Sequence, residues 1–217
     1  QAGYNNTVGN INSFLGELTG FNNTTGSYNT FLGCESGFSN ISGFSNQFMG
    51  YRAGYLNTIG NNNLMIGKKA GYDNTTGSSN IFIGENAGLG GTRSFNNIII
   101  GKNAGLNCNG RDNFIFGQNA GRGGMTTAQE NVLIGKNAGT SLTTGRENVF
   151  IGNGAGASLT IGSFNVGIGR IALRDLQYGD RNTCIGLNTG VFLSGTSSFN
   201  TFIGGQAAQN IKDGKSS

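Results

Sequence analysis

The sequence predicts an all-β solenoid, a parallel β-roll, on three observations. A short motif recurs about every 17 residues along the whole chain, Gly supplies 41 of 217 residues while Pro is absent, and the unit is too short for a helix plus a strand. Pro-free, with 35% apolar residues and 15 Phe, the chain has the material for a packed interior rather than the composition of a disordered segment.

The motif is Asn-x-x-x-Gly with apolar residues before the Gly. It is anchored at Asn12, Asn29, Asn46, Asn63, Asn80, Asn97, Asn113, Asn131, Asn148, Asn165, Asn182 and Asn200. The spacing is 17 up to Asn97, then 16, 18, 17, 17, 17 and 18. One repeat domain therefore covers residues 1–217. Four residues beyond the Gly stands a second small pair, usually Ala-Gly, as at Ala53-Gly54, Ala87-Gly88 and Ala155-Gly156. A turn such as Asn74-Thr75-Thr76-Gly77 leads to the next Asn. Both ends fall in mid-repeat, which reads as a segment of a longer fibre.

A unit of this length has room for two strands of about four or five residues and two tight corners. Gly, and after it Asn, tolerates the positive φ that so small a loop demands. Stacked at ~4.8 Å, some 12–13 coils form a rod roughly 60 Å long, each coil pairing only with its neighbours. The Asn column returns to one place in every coil, where stacked amides can donate to one neighbour and accept from the other.

The two residues before the first Gly carry the quaternary argument. Neighbours on a strand point to opposite faces, so one column fills the interior and the other faces out. The column expected to face out is Phe14, Phe31, Phe48, Met65, Phe82, Ile99, Ile115, Leu133, Phe150, Gly167, Cys184 and Phe202. An apolar stripe of that length needs covering, and identical rods packed about a common axis would cover it. The number of rods is left open by this reasoning. Gly167, Cys184 and Leu173, which replaces the Gly of an Ala-Gly pair, predict a narrowed or repacked axis in those coils.

From each anchor Asn to the second small residue the count is eight, whereas the return to the next Asn takes eight to ten. Variable length belongs to a solvent-facing edge. On that half, Tyr4, Phe21, Phe38, Tyr55 and Tyr72 follow the second Gly in five successive coils, a candidate recognition ladder for sugar rings.

Composition excludes several classes. The chain has no His, and its three Cys, in different columns, make neither a zinc set nor a disulfide framework, so no metal and no cofactor are expected. Ten acidic residues are dispersed over the coils rather than gathered in a cleft as a polysaccharide-processing β-helix would need, and no enzyme is expected. The net charge of +4 is scattered, without the one-sided basic patch of a nucleic-acid binder. No stretch approaches the ~18 apolar residues of a membrane span. Lys68, Glu85 and Lys102 in consecutive coils read as a surface charge ladder. Recurrent Thr raises an ice-binding solenoid as the alternative, but the Thr75-Thr76 and Thr143-Thr144 pairs give way elsewhere to Ile41-Ser42 and Gln177-Tyr178.

Units such as Asn80-Ile81-Phe82-Ile83-Gly84-Glu85-Asn86-Ala87-Gly88, and those from Asn148 to Gly156, resemble the head repeats of trimeric autotransporter adhesins and related phage tail-fibre or receptor-binding proteins. The resemblance spans essentially all of the chain. It implies a left-handed parallel β-roll, a homotrimer with the Phe14 to Phe202 column at its interface, an extracellular, cell-surface or virion-tail location, and attachment to a host-surface glycan or protein. The family's usual coil is somewhat shorter than the unit here.

Overall fold

The computed structural model describes residues 1–193 and 195–209. Each repeat contributes one strand of three residues: β1 (Ser13–Leu15), β2 (Thr30–Leu32), β3 (Gln47–Met49), β4 (Leu64–Ile66), β5 (Ile81–Ile83), β6 (Ile98–Ile100), β7 (Phe114–Phe116), β8 (Val132–Ile134), β9 (Val149–Ile151), β10 (Val166–Ile168), β11 (Thr183–Ile185) and β12 (Thr201–Ile203). They form one parallel sheet in sequence order, every strand pairing like position with like, as Phe31 with Phe48 and Phe48 with Met65. The fold is a parallel β-solenoid, and the described residues contain no helix.

The expected second strand does not form. After the first Gly, the second residue and the second Gly both take positive φ, as Arg52 at 56° and Gly54 at 59°. Two left-handed residues so close together turn the chain before an extended run can develop. Coil-to-coil bonding survives there as single links: Gly37 N–H donates to Ala53 C=O, Gly54 to Ala70 and Gly71 to Ala87.

The anchor Asn closes each coil and joins it to the next. Asn63 Nδ2 donates to Gly77 O, 14 residues on, at 2.9 Å, and to Asn46 Oδ1 at 3.1 Å. Its backbone N–H also donates to Asn46 Oδ1. The pattern recurs to Asn200, so from Asn29 to Asn182 a buried amide column is hydrogen-bonded from coil to coil, as burial of polar groups requires.

The first Gly of each repeat from Gly16 to Gly186 has no room for a side chain. A Cβ on Gly50 would stand 2.7 Å from Gly67 O, and one on Gly152 would stand 2.3 Å from Gly169 O. At the second Gly the obstacle is the interior: a Cβ on Gly54 would lie 2.5 Å from the Phe48 ring.

That contact corrects the sequence expectation about direction. Phe31, Phe48, Met65, Phe82, Ile99, Ile115, Leu133 and Phe150 are buried by their own chain, inside the coil, with Phe14 and Phe202 half-buried at the ends of the same column. They are the core. The residues on either side of them in each strand face outwards instead.

The expected local defect is therefore an interior one. Gly167 leaves a gap in the core column, and Leu173, fully buried, fills it from the opposite side: a Cβ on Gly167 would be 3.5 Å from Leu173 Cδ1 and 3.1 Å from Phe150. Leu173 does so at φ 54°, a conformation costly for a Leu, and core packing holds it there.

Candidate functional site

The outward face of the sheet carries two columns. The first strand position runs Ser13, Thr30, Gln47, Leu64, Ile81, Ile98, Phe114, Val132, Val149, Val166, Thr183 and Thr201, and the third runs from Leu15 and Leu32 to Ile185 and Ile203. From β4 to β10 both columns are wholly apolar. Leu32, Phe114 and Phe116 are exposed, and Leu15 and Ile203 are 69% and 70% exposed. The neighbours between them are half-buried only because they crowd one another across strands. At ~4.8 Å per strand and ~3.3 Å per residue this wholly apolar stretch is about 30 Å long and 10 Å wide, a contiguous patch of the size that often marks an interaction site. Sequence reasoning missed this face because it assigned the wrong parity to the strand.

The aromatic ladder exists, with a different geometry from the one foreseen. Tyr4, Phe21, Phe38, Tyr55 and Tyr72 stack ring on ring at 5.0–5.4 Å and within 10° of parallel. Their faces are occupied by one another, so the ladder offers edges and hydroxyls to the outside rather than flat platforms. Arg52 lies 5.4 Å from the Tyr55 ring and 5.0 Å from Tyr51, and its guanidinium is ion-paired to Glu35. Burial pushes the Tyr72 phenol above its ordinary pKa. An open groove of about 600 Å³ beside the ladder is lined by Tyr4, Asn5, Asn22, Ser39, Thr7 and Thr24 among others.

Thr side chains in the next column are engaged in the fold. Thr24 Oγ1 donates to Ile41 O, Thr58 to Thr75 O, Thr75 to Thr92 O and Thr143 to Thr160 O, each one coil away. The charge ladder takes its expected form, with Glu85 3.9 Å from Lys68 and 2.8 Å from Lys102, and the hydrogen bond from Lys102 lowers the Glu85 pKa.

Cys108 and Cys184 are buried thiols pushed up to about 11 and about 12 by desolvation, the reverse of an activated nucleophile. Among the described residues there is no group of three or more metal-ligating side chains, and no helix is long and apolar enough to cross a membrane. What the geometry defines is a parallel β-solenoid with an uncovered apolar sheet face. Set beside known protein families, curated proteins and solved structures, the chain matches none.

Proposed function

We propose that the chain is a structural and adhesive fibre segment, the shaft or head of a phage tail fibre or bacterial surface adhesin, working outside the cell as a homotrimer. Its role is attachment to a host surface through a glycan or protein. The observation that supports this reading is the outward sheet face, apolar on both columns from β4 to β10. Every large side chain taken out of water there contributes up to ~1.5–3 kcal/mol to association, and no other element among the described residues covers the face. A regular rod of stacked coils is suited to spacing and presenting contacts along its length.

Sedimentation velocity tests the assembly. The unmutated chain at micromolar concentration is expected to sediment as a trimer, and Ile134→Arg with Ile151→Arg to give monomers of unchanged circular dichroism, since both residues point away from the core. A monodisperse monomer of the unmutated chain overturns the reading. Attachment is tested by incubating fluorescently labelled chain with panels of bacterial and animal cells; assembled chain that decorates no cell type would leave a shaft without an adhesive role.

A further inference from the structure

The apolar face is bordered by two files of exposed residues, one just before the closing Asn of each repeat and one just after the first Gly. Before the Asn, three successive coils carry Asp112, Glu130 and Glu147. After the Gly, the same stretch carries Lys102, Gln118, Lys136, Asn153 and Arg170. Glu130 and Lys136 bracket the same strand, β8. All six charged residues are exposed, and Glu130, Glu147, Lys136 and Arg170 form no ion pair among the described residues. Lys102 is held by Glu85, and Arg111 stands 3.9 Å from Asp112. Arg146 adjoins Glu147 in sequence, Arg181 occupies the acidic file two coils on, and Glu17 occupies the basic one at β1.

We infer that these two rims pair between copies of this chain, acid against base, and thereby set the copies parallel and in register across the apolar face. The inference rests on the reading of that face as a self-association surface and goes beyond it to orientation. The partner is a second copy, argued from area and charge together. The whole twelve-strand face with its two rims, about 50 Å by 17 Å, approaches the ~800 Å² per partner of a stable interface. Parallel copies facing each other, or arranged around an axis along the rod, bring the acidic rim of one to the basic rim of the next. Antiparallel copies would set acid against acid and base against base. In the parallel arrangement Glu130 meets Lys136 at the same level, while Asp112 and Glu147 each lie one coil from a basic residue. Glu130 and Glu147, filed at ~4.8 Å with no ion pair of their own among the described residues, repel each other in a lone rod, and an adjoining file of cations relieves that.

Salt gives the orientation its sign. Parallel copies lose affinity as ionic strength rises and screens attraction over a ~10 Å Debye length, whereas antiparallel copies would gain it. The experiment measures association of the full chain by sedimentation equilibrium from low to high salt. Alongside it run Glu130→Lys with Glu147→Lys, and Lys136→Glu with Arg170→Glu, each alone and mixed. Each variant alone is expected to associate roughly tenfold or more weakly than the unmutated chain at low salt, and the mixture to recover. Ser13→Cys, on the outward face of β1, is expected to crosslink to its own copy with a short bismaleimide above the level the unmutated chain gives. Unchanged association of both variants, or affinity rising with salt, or no added Ser13→Cys crosslink, overturns the rim pairing while the face reading stands. A monomeric unmutated chain at every salt concentration overturns the face reading, and the rim pairing with it.

Discussion

The first five coils and the last five close the same corner with opposite chemistry. In the first five the residue three beyond the second Gly is Asn6, Asn23, Asn40, Asn57 or Asn74, four of them buried, and three of the amides donate to the one before: Asn23 to Asn6 at 2.8 Å, Asn40 to Asn23 at 2.7 Å, and Asn57 to Asn40 at 2.8 Å. In the later coils the corner holds Met125, Leu142, Leu159, Leu176 and Leu193, all fully buried. The amide ladder works only if every coil presents its Asn at one height, since a donor displaced by an ångström loses its acceptor. An apolar corner needs only volume. All irregular repeat spacings, 16 and the two of 18, lie after Asn97, where the Asn corner has gone. A polar corner enforces register, and an apolar one tolerates insertion.

The largest expected effect tests how each half fills its core. Gly54→Leu drives a side chain into the Phe48 ring at positive φ and is expected to cost about 3 kcal/mol or more. Leu173, at the equivalent place, is itself the filler. Leu173→Gly should cost about 2–4 kcal/mol through the cavity it opens, and adding Gly167→Phe should recover most of that by restoring the arrangement of the other coils. Urea melts of the single and double variants read the coupling, and an additive double variant would sink the account.

Next in size is the corner itself. Asn40→Leu strands Asn23 Oδ1, removes the donor to Gly43 O and takes one of the two acceptors of Asn57 Nδ2, for a loss of about 2–4 kcal/mol. Inserting one residue after Asn40 should destabilise far more than inserting one after Leu159. Equal responses of the two halves to insertion, measured as melting temperatures, would remove the proposed link between amides and spacing.

Smaller still is the backbone term. The residue two after the first Gly is left-handed in every described coil, and the later half mostly uses Asn there, whereas the earlier half uses Leu18, Glu35, Arg52 and Lys69. Ile171 is the β-branched exception of the later half, at φ 52°. Ile171→Asn should stabilise by about 1 kcal/mol, and Asn137→Ile should destabilise by a similar amount. A chemical denaturation midpoint that moves the other way for either variant would contradict this.

The smallest effect is electrostatic. Glu85 is lowered below its ordinary value by Lys102, so its contribution is present above the unfolded-state pKa and fades as pH falls through the lower folded value. Carboxyl titration by NMR should find Glu85 depressed in the unmutated chain and returned towards the ordinary range in Lys102→Gln.

Much of this was legible in the sequence. The repeat and its Asn column were plain because one residue type recurs where only an amide can both close a coil and bridge to the next. The number of strands was not, since the left-handed residues that abolish the second strand include Leu18, Arg52 and Lys69, which carry no sign of positive φ. Strand parity was misread because Ile81-Phe82-Ile83 is apolar at all three positions. A signal did exist: Ser13, Thr30, Gln47, Thr183 and Thr201 share the parity of Leu15 rather than Phe14, and polar side chains on that parity mark it as outward. The replacement of Gly by Leu173 in the coil where Gly167 replaces a Phe pointed the same way. The aromatic file was legible as a file, but its face-to-face stacking depends on ring orientation, which spacing does not fix.

The in-register stacking of the coils has a mechanical consequence. Strands lie across the rod, so the bonds between coils point along it, and tension applied to the two ends loads those bonds in series, one coil at a time. Each coil that peels away surrenders ~4.8 Å of rod and releases 17 residues, roughly 55–60 Å of extended chain. A tether built this way yields by small, repeated extensions and dissipates a pull instead of transmitting it whole. Single-molecule stretching should record a sawtooth of near-equal steps, weaker in the Leu-cornered half where no second amide ladder reinforces the seam, and a single rupture of the entire rod would contradict it.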